Sequence, residues 1–440
     1  MNMHKQNGNV VAIITMIFLF AMISFVTNLA APIGVIWKNQ PALEGSNFLG
    51  MMGNMMNFLA YLFMGIPAGR LLSKIGYKKT ALVAIAIGVL GVFTQYLSGI
   101  VGVGHELFNL PANWYVYLLG AFIAGFSVCM LNTVVNPMLN LLGGGGKKGN
   151  QLLQIGGSFN SLSATLTPMF VGALIGQVTA NTAITDVNPV LFLAMAVFAA
   201  AFVILLFIPI AEPQEVKKEQ KFGHSPWNFR HFVFGAIGIF IYVGIEIGIP
   251  GTLNFFLADG SGKGAGLDPS TAAAIAGFVA GTYWFMMLIG RFLGSIVGGK
   301  VSSKTMLTAV AAVGIVFVLL FVFLPTGIQT SMPVWTGKSF GMVHVPIGAL
   351  FLVLCGLCTS VMWGGIFNLA VEGLGKYTAT GSGIFMMMVV GGGILPLIQN
   401  KIADITTYQV SYFVIIAGLA YLLWYALIGC KNVNKDIPVE

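Results

Sequence analysis

The sequence predicts an all-α membrane protein in which twelve transmembrane helices form two pseudo-symmetric bundles of six. Three observations lead there. Of 440 residues, 57% are hydrophobic and only 8% charged, whereas ordinary soluble domains carry roughly a quarter charged residues, so a water-facing surface cannot be assembled from this composition. Apolar runs of about 20 residues, each long enough to cross a hydrocarbon core of about 30 Å as a helix, recur along nearly the whole chain, and the alternating segments of about ten residues expected of a membrane barrel do not appear. The basic residues, finally, gather in alternate loops.

The elements follow in order. Apolar runs at 10–36, 47–70, 79–101, 113–142, 151–179 and 189–211 make six helices. The first follows a short segment carrying Lys5, but it is too long for a signal peptide and lacks a small-residue cleavage site, so it reads as a span. Residues 212–228 hold Lys217, Lys218, Glu219, Lys221 and two prolines, and they read as a cytoplasmic linker between an N-terminal bundle (1–211) and a C-terminal bundle (229–440). Six further runs lie at 229–257, 270–297, 303–325, 344–371, 378–403 and 407–429. An even count puts both termini on one side. Loops on that side then carry all of the 21 Lys and Arg except Lys38, Lys263, Lys338 and Lys401, which places both termini in the cytoplasm; the expected location is the cytoplasmic (bacterial inner) membrane. The net charge of +8 therefore reports orientation rather than a nucleic-acid partner. Lipid is the expected environment and a monomer the expected state. Cys129, Cys355, Cys358 and Cys430 fall in or at the end of apolar runs, which argues against a disulfide framework.

The two halves echo each other. Gly69-Arg70-Leu71-Leu72 ends the second helix and Lys79-Thr80-Ala81-Leu82 opens the third. Gly290-Arg291-Phe292-Leu293 and Lys304-Thr305-Met306-Leu307 occupy the same places in the second half. Parallel repeats of this kind rock about a site near the midplane. The segment Gly69–Lys79 resembles the loop between helices 2 and 3 of the major facilitator superfamily, with Ser73 where an aspartate is usual.

Further motifs narrow the resemblance. Asn132-Thr133-Val134-Val135-Asn136-Pro137, Ser158-Phe159-Asn160-Ser161, Tyr242-Val243-Gly244-Ile245-Glu246, the stretch from Leu374-Gly375-Lys376-Tyr377-Thr378 to Ser382, and Gly391-Gly392-Gly393-Ile394-Leu395-Pro396-Leu397 are similar, in collinear order, to the fucose–galactose–glucose:H+ symporter family. The last is closest to its glucose/galactose branch. The resemblance implies the major facilitator fold and a monosaccharide substrate. It also exposes departures: the helix-1 aspartate and helix-4 glutamate implicated in the fucose branch's proton coupling are absent, Asn132 standing at the second. A family glutamine in helix 5 is matched by Gly157, with Gln154 one turn away.

Polar groups inside a lipid-embedded bundle are costly unless they pair, line a cavity or work. Glu246 lies near mid-depth of the seventh helix, followed by Gly248, Pro250 and Gly251, residues that interrupt backbone hydrogen bonding and free carbonyls toward a cavity. It can accept sugar hydroxyls or load a proton or sodium ion; the plainer reading is a carboxyl that only bonds a neighbouring helix. Asn28, Asn54, Asn57, Asn132, Asn136 and Asn160 fall within first-half spans. An amide both donates and accepts, as vicinal hydroxyls do, although interhelical bonding is the competing use. Tyr283, Trp284, Phe159 and Trp363 offer flat faces for the apolar side of a sugar, against ordinary packing. Asn368 and Gln399 complete a second-half wall. The candidate substrate set is thus Asn28, Asn57, Asn132, Asn136, Gln154, Asn160, Glu246, Tyr283, Trp363 and Asn368, with Glu246 also carrying cation coupling.

Other signals fail. Gly143–Gly146 before Lys147 and Lys148 lacks the Gly-Lys-Ser/Thr of a phosphate loop, and no metal cluster or paired acids of an enzyme are evident. The expectation is a secondary transporter, not an enzyme, with no cofactor beyond a coupling ion, Na+ or H+. An exporter of amphipathic drugs and a sensor that binds sugar without moving it stand as rival readings.

Overall fold

In the computed structural model the described residues are 2–43, 45–143, 146–175, 178, 181–208, 224–297, 300–336, 339–434 and 436–438. Twelve helices are long and apolar enough to span a bilayer: α1 Val10–Lys38, α2 Met52–Leu72, α3 Tyr77–Leu97, α4 Ala112–Leu139, α5 Ile155–Ile175, α6 Ile184–Phe207, α7 Arg230–Ala258, α8 Ala272–Gly294, α9 Ser303–Phe323, α10 Ile347–Val371, α11 Thr380–Ile405 and α12 Tyr408–Gly429. They form two six-helix bundles, and an even number of spans brings both termini to one face, called here the terminal face; the opposite one is the distal face. Most of the linker expected at 212–228 lies outside the described residues.

Two short hairpins were not anticipated. Antiparallel β1 (Glu106–Leu107) and β2 (Leu110–Pro111) join α3 to α4, and β3 (Gln329–Trp335) and β4 (Phe340–Pro346) join α9 to α10. In the first, Phe108 and Asn109 both have positive φ, 52° and 61°, as a two-residue hairpin turn requires. In the second, the strand runs to Pro346, so the tenth helix starts at Ile347 rather than at 344. Apolar composition hid only the end of β4, whose residues 344–346 fall within the tenth apolar run; the other three strands fall in loops between the apolar runs.

Prolines set the irregularities. Pro32 cannot donate to the carbonyl of Asn28, and α1 is interrupted there, its segments being Asn2–Asn28 and Ala30–Lys38. Pro396 likewise leaves the Gly392 carbonyl without its helical donor, and α11 is interrupted just before Gly391. Around Pro250 the helix runs unbroken over Arg230–Ala258, although the ring still leaves the Glu246 carbonyl without its helical donor. Freed carbonyls do meet a partner, but on α11, where Gly392 O accepts from Asn54 Nδ2 of the other bundle at 2.9 Å.

The halves touch along two seams, α5 with α8 and α2 with α11. Small residues let backbones approach, as is usual in lipid. A Cβ on Gly172 of α5 would lie 2.7 Å from the Ala273 carbonyl of α8, and one on Gly393 of α11 would lie 3.0 Å from Met55 O of α2.

Candidate functional site

Glu246 sits halfway along α7, half-buried. Its Oε1 accepts a hydrogen bond from the Tyr242 hydroxyl, one turn earlier, at 2.9 Å. Tyr242 in turn packs at 6.2 Å between ring centroids from Trp363 of α10. The charge of Arg291, from α8, reaches both Glu246 and Tyr242. Arg291 Nη1 donates to Gly157 O and to Ser161 Oγ of α5, each at 2.7 Å, so a second-half cation is anchored on a first-half helix. A Cβ on Gly157 would be in ordinary contact with Nη1, at 3.5 Å. Beside this anchor, Asn160 Nδ2 donates to Phe20 O of α1 at 2.8 Å. Trp363 and Glu246 are thus joined through Tyr242, while Asn160 shares α5 with the Arg291 anchor, whose charge alone reaches Glu246.

A second set stands on α4. Asn132 Nδ2 donates to the Tyr61 hydroxyl of α2 at 2.7 Å, and Asn136 Nδ2 to Asn132 O at 2.9 Å. Both asparagines are half-buried, and each keeps acceptor capacity.

Nearer the distal face, a cavity of about 30 Å3 lies between the halves, lined among others by Thr27, Asn28, Asn54, Pro250, Asn254 and Trp284. That is room for about two waters. Asn28 Nδ2 donates to Ser24 O at 2.9 Å, which leaves its oxygen to the cavity.

The remaining candidates stand apart from these sets. Asn57 is buried inside the first bundle, where its Oδ1 has no partner among the described residues, and it lines a separate, smaller void with Gln95 and Tyr117. Asn368 is exposed and reaches toward Ser303 of α9. Tyr283 is fully buried, paired with Thr359 at 2.8 Å; its neighbour Trp284 faces the cavity instead. The Gln154 side chain lies outside the described residues.

Beyond the cavity the distal end is sealed by charged and polar groups. Lys38, 2% exposed, lies 3.6 Å from Asp259, the one salt bridge among the described residues, and donates to Asn47 Oδ1 at 2.8 Å and the Tyr408 hydroxyl at 3.0 Å. Tyr408 donates to Asp259 at 2.7 Å. Asp404, at the end of α11, accepts from Ser46 Oγ and from the backbone N–H groups of Asn47 and Phe48, at 2.7, 2.7 and 2.9 Å. A carboxylate of one half thereby caps the N-terminus of the helical turn Asn47–Gly50, which leads into α2 of the other. Burial pushes the Asp259 carboxyl up, but the Lys38 charge and hydrogen bonds from Tyr408 and Ser261 outweigh it and hold it below the ordinary 3.8.

Sequence reasoning passed over Arg291 and Lys38 by counting both as loop cations. Arg291 lies three residues inside the end of α8, and its place in the echoed Gly-Arg pair was the available signal. Lys38 ends α1 and is buried. Asn254 was not singled out because it lies near the end of an apolar run.

Comparison with known proteins agrees with this architecture. The family model described as Major Facilitator Superfamily matches residues 13–397. The chain is 34% identical to a glucose/galactose transporter of Brucella abortus over 85% of its own length and 84% of the relative's, and 22% identical to the L-fucose-proton symporter of Escherichia coli over 89% and 85%. A crystal structure of the Escherichia coli fucose:proton symporter superposes with a TM-score of 0.65 at 18% identity, over 97% of this chain and all of that one. The twelve spans, the paired bundles and these matches together establish that the chain belongs to the Major Facilitator Superfamily of membrane transporters.

Proposed function

We propose that the protein moves a monosaccharide, a hexose or a related sugar, across the cytoplasmic membrane by alternating access, with a cation, Na+ or H+, coupled through Glu246. The names of its relatives, a glucose/galactose transporter and a fucose–proton symporter, support the sugar. The observation that carries the coupling role is a carboxyl at mid-span, bonded to Tyr242 and within the field of an arginine that is itself tied to the other half. Intramembrane acids of this kind are functional by default. Asn28, Asn132, Asn136, Asn160 and Trp363 supply amide and aromatic contacts for the sugar. Bundles 1–211 and 229–440 act as the two moving bodies, joined by 212–228, and the positive-inside rule puts both termini in the cytoplasm. The distal seal then faces outward, and the site is reached from within.

Purified protein in proteoliposomes tests the coupling. Glu246→Gln keeps the shape and removes the exchangeable charge, so counterflow of labelled sugar persists while gradient-driven accumulation falls to equilibration. Accumulation at the wild-type level discards the coupling role. Orientation is read on intact cells: an impermeant thiol reagent modifies a cysteine at Thr336, between β3 and β4, and spares one at Ser302. The reverse pattern inverts the topology.

A further inference from the structure

Asn254 is 3% exposed, lies about two helical turns beyond Glu246 on α7, and lines the cavity between the halves. No group among the described residues hydrogen-bonds its amide. The amide is not among the fully buried polar atoms left without a partner; it opens onto the cavity, where an entering group can pair with it. Two more amides share that cavity from the other half. Asn28 and Asn54 each spend Nδ2 on a backbone carbonyl, Ser24 O and Gly392 O, which leaves each oxygen as an acceptor. Trp284, held edge-on against Tyr283 at 5.2 Å and 7% exposed, adds a flat apolar face.

We infer that Asn254 and Trp284, facing Asn28 and Asn54, form the roof of the sugar site and decide which monosaccharide is accepted. The inference rests on the sugar-transport reading and adds a division of labour to it. Asn254 keeps both donor and acceptor, which matches a hydroxyl that does the same. The acceptors of Asn28 and Asn54 receive neighbouring hydroxyl protons. Trp284 covers the C–H face of the ring. Because the amides come from α1, α2 and α7, a sugar held by all three is grasped by both halves. As it stands the cavity takes about two waters, so it is the distal end of the site, and sugar hydroxyls replace those waters. Glu246, farther toward the terminal face, is left to the cation.

Counterflow in proteoliposomes with glucose, galactose, fucose and a series of monodeoxy sugars provides the test. Asn254→Ala raises KM for the preferred sugar about tenfold, the scale of one lost hydrogen bond, with maximal rate and accumulation ratio at saturating sugar kept. The one deoxy analogue that lacks the hydroxyl read by Asn254 shows the same KM in variant and wild type. Trp284→Phe, a mild change that tests the roof even if Asn254→Ala does not reach the membrane, alters the ranking of the sugars. A KM ratio that is uniform across all deoxy analogues, or an unchanged ranking in a transporting Trp284→Phe protein, overturns the inference. Absence of counterflow by the wild type with every sugar defeats the underlying reading instead.

Discussion

Gly391 shows how little slack exists where α11 meets α7. A Cβ on this residue would overlap the Phe240 carbonyl and crowd the Phe240 Cα at 2.9 Å. Those are backbone atoms that cannot rotate away. Gly391→Ala is therefore expected to cost about 1–3 kcal/mol and to lower the thermal midpoint of the detergent-purified protein. Gly364→Ala, where nothing lies within 4 Å, leaves the midpoint unchanged or raised; equal midpoints for the two variants would count against this packing. Single residues were unevenly legible in the sequence. Glu246 stood out because an acid within an apolar run has few explanations. Asn254 and Arg291 did not, since near a span end an amide or a guanidinium reads as the edge of the membrane, and only the fold reveals whether it points inward. Asn57 shows the converse: its spacing with Asn54 is helical, yet the two face different cavities, one between the halves and one inside the first bundle.

Elements were read more securely, because a 20-residue apolar run has essentially one solution in lipid. Their irregularities were legible only in part: proline marks where a carbonyl loses its donor but not whether the helix opens there, since α7 is continuous around Pro250 and α11 is interrupted before Pro396. The distal seal is built at element ends, and its strength is testable there. Removing the cap by Asp404→Ala costs about 1–2 kcal/mol, equivalent to roughly a tenfold population shift. A cysteine at Ala31, below the seal, is then expected to react about tenfold faster with a reagent supplied from the distal side; no change in rate would show that Asp404 does not hold the end closed. Acid has a defined sign. The Asp259 carboxyl lies below its ordinary 3.8, so its contribution is fully present above that value and is lost as pH falls through the lowered one. In the Ala31→Cys protein with Asp404 intact, labelling rates corrected for the thiolate fraction at each pH should match at pH 7 and pH 5 and rise only in strong acid. A rise already at pH 5 would assign the opening to another group.

At the scale of the whole molecule, the two halves make different kinds of contact at different depths. Along the seams, small residues bring backbones together with few polar bonds, an arrangement on which bundles can roll. At the distal end, by contrast, Asp404, Ser46, Asn47, Lys38, Asp259 and Tyr408 form discrete bonds that are either made or broken. Packed interfaces of this sort switch between states rather than deform continuously. If transport requires the distal end to open in every cycle, tying it shut must stop the cycle. Ser46 and Asp404 are in direct contact, so the double variant Ser46→Cys and Asp404→Cys offers two thiols for a short bifunctional crosslinker with a cleavable disulfide. Crosslinked protein is expected to lose sugar counterflow, and reductant is expected to restore it to the rate of the uncrosslinked double variant. Each single-cysteine protein, treated identically, controls for modification alone. Counterflow that continues unabated when crosslinking is complete would mean that the sugar crosses without parting these ends, and the rocking of two bundles about a central site would have to give way to a path within one of them.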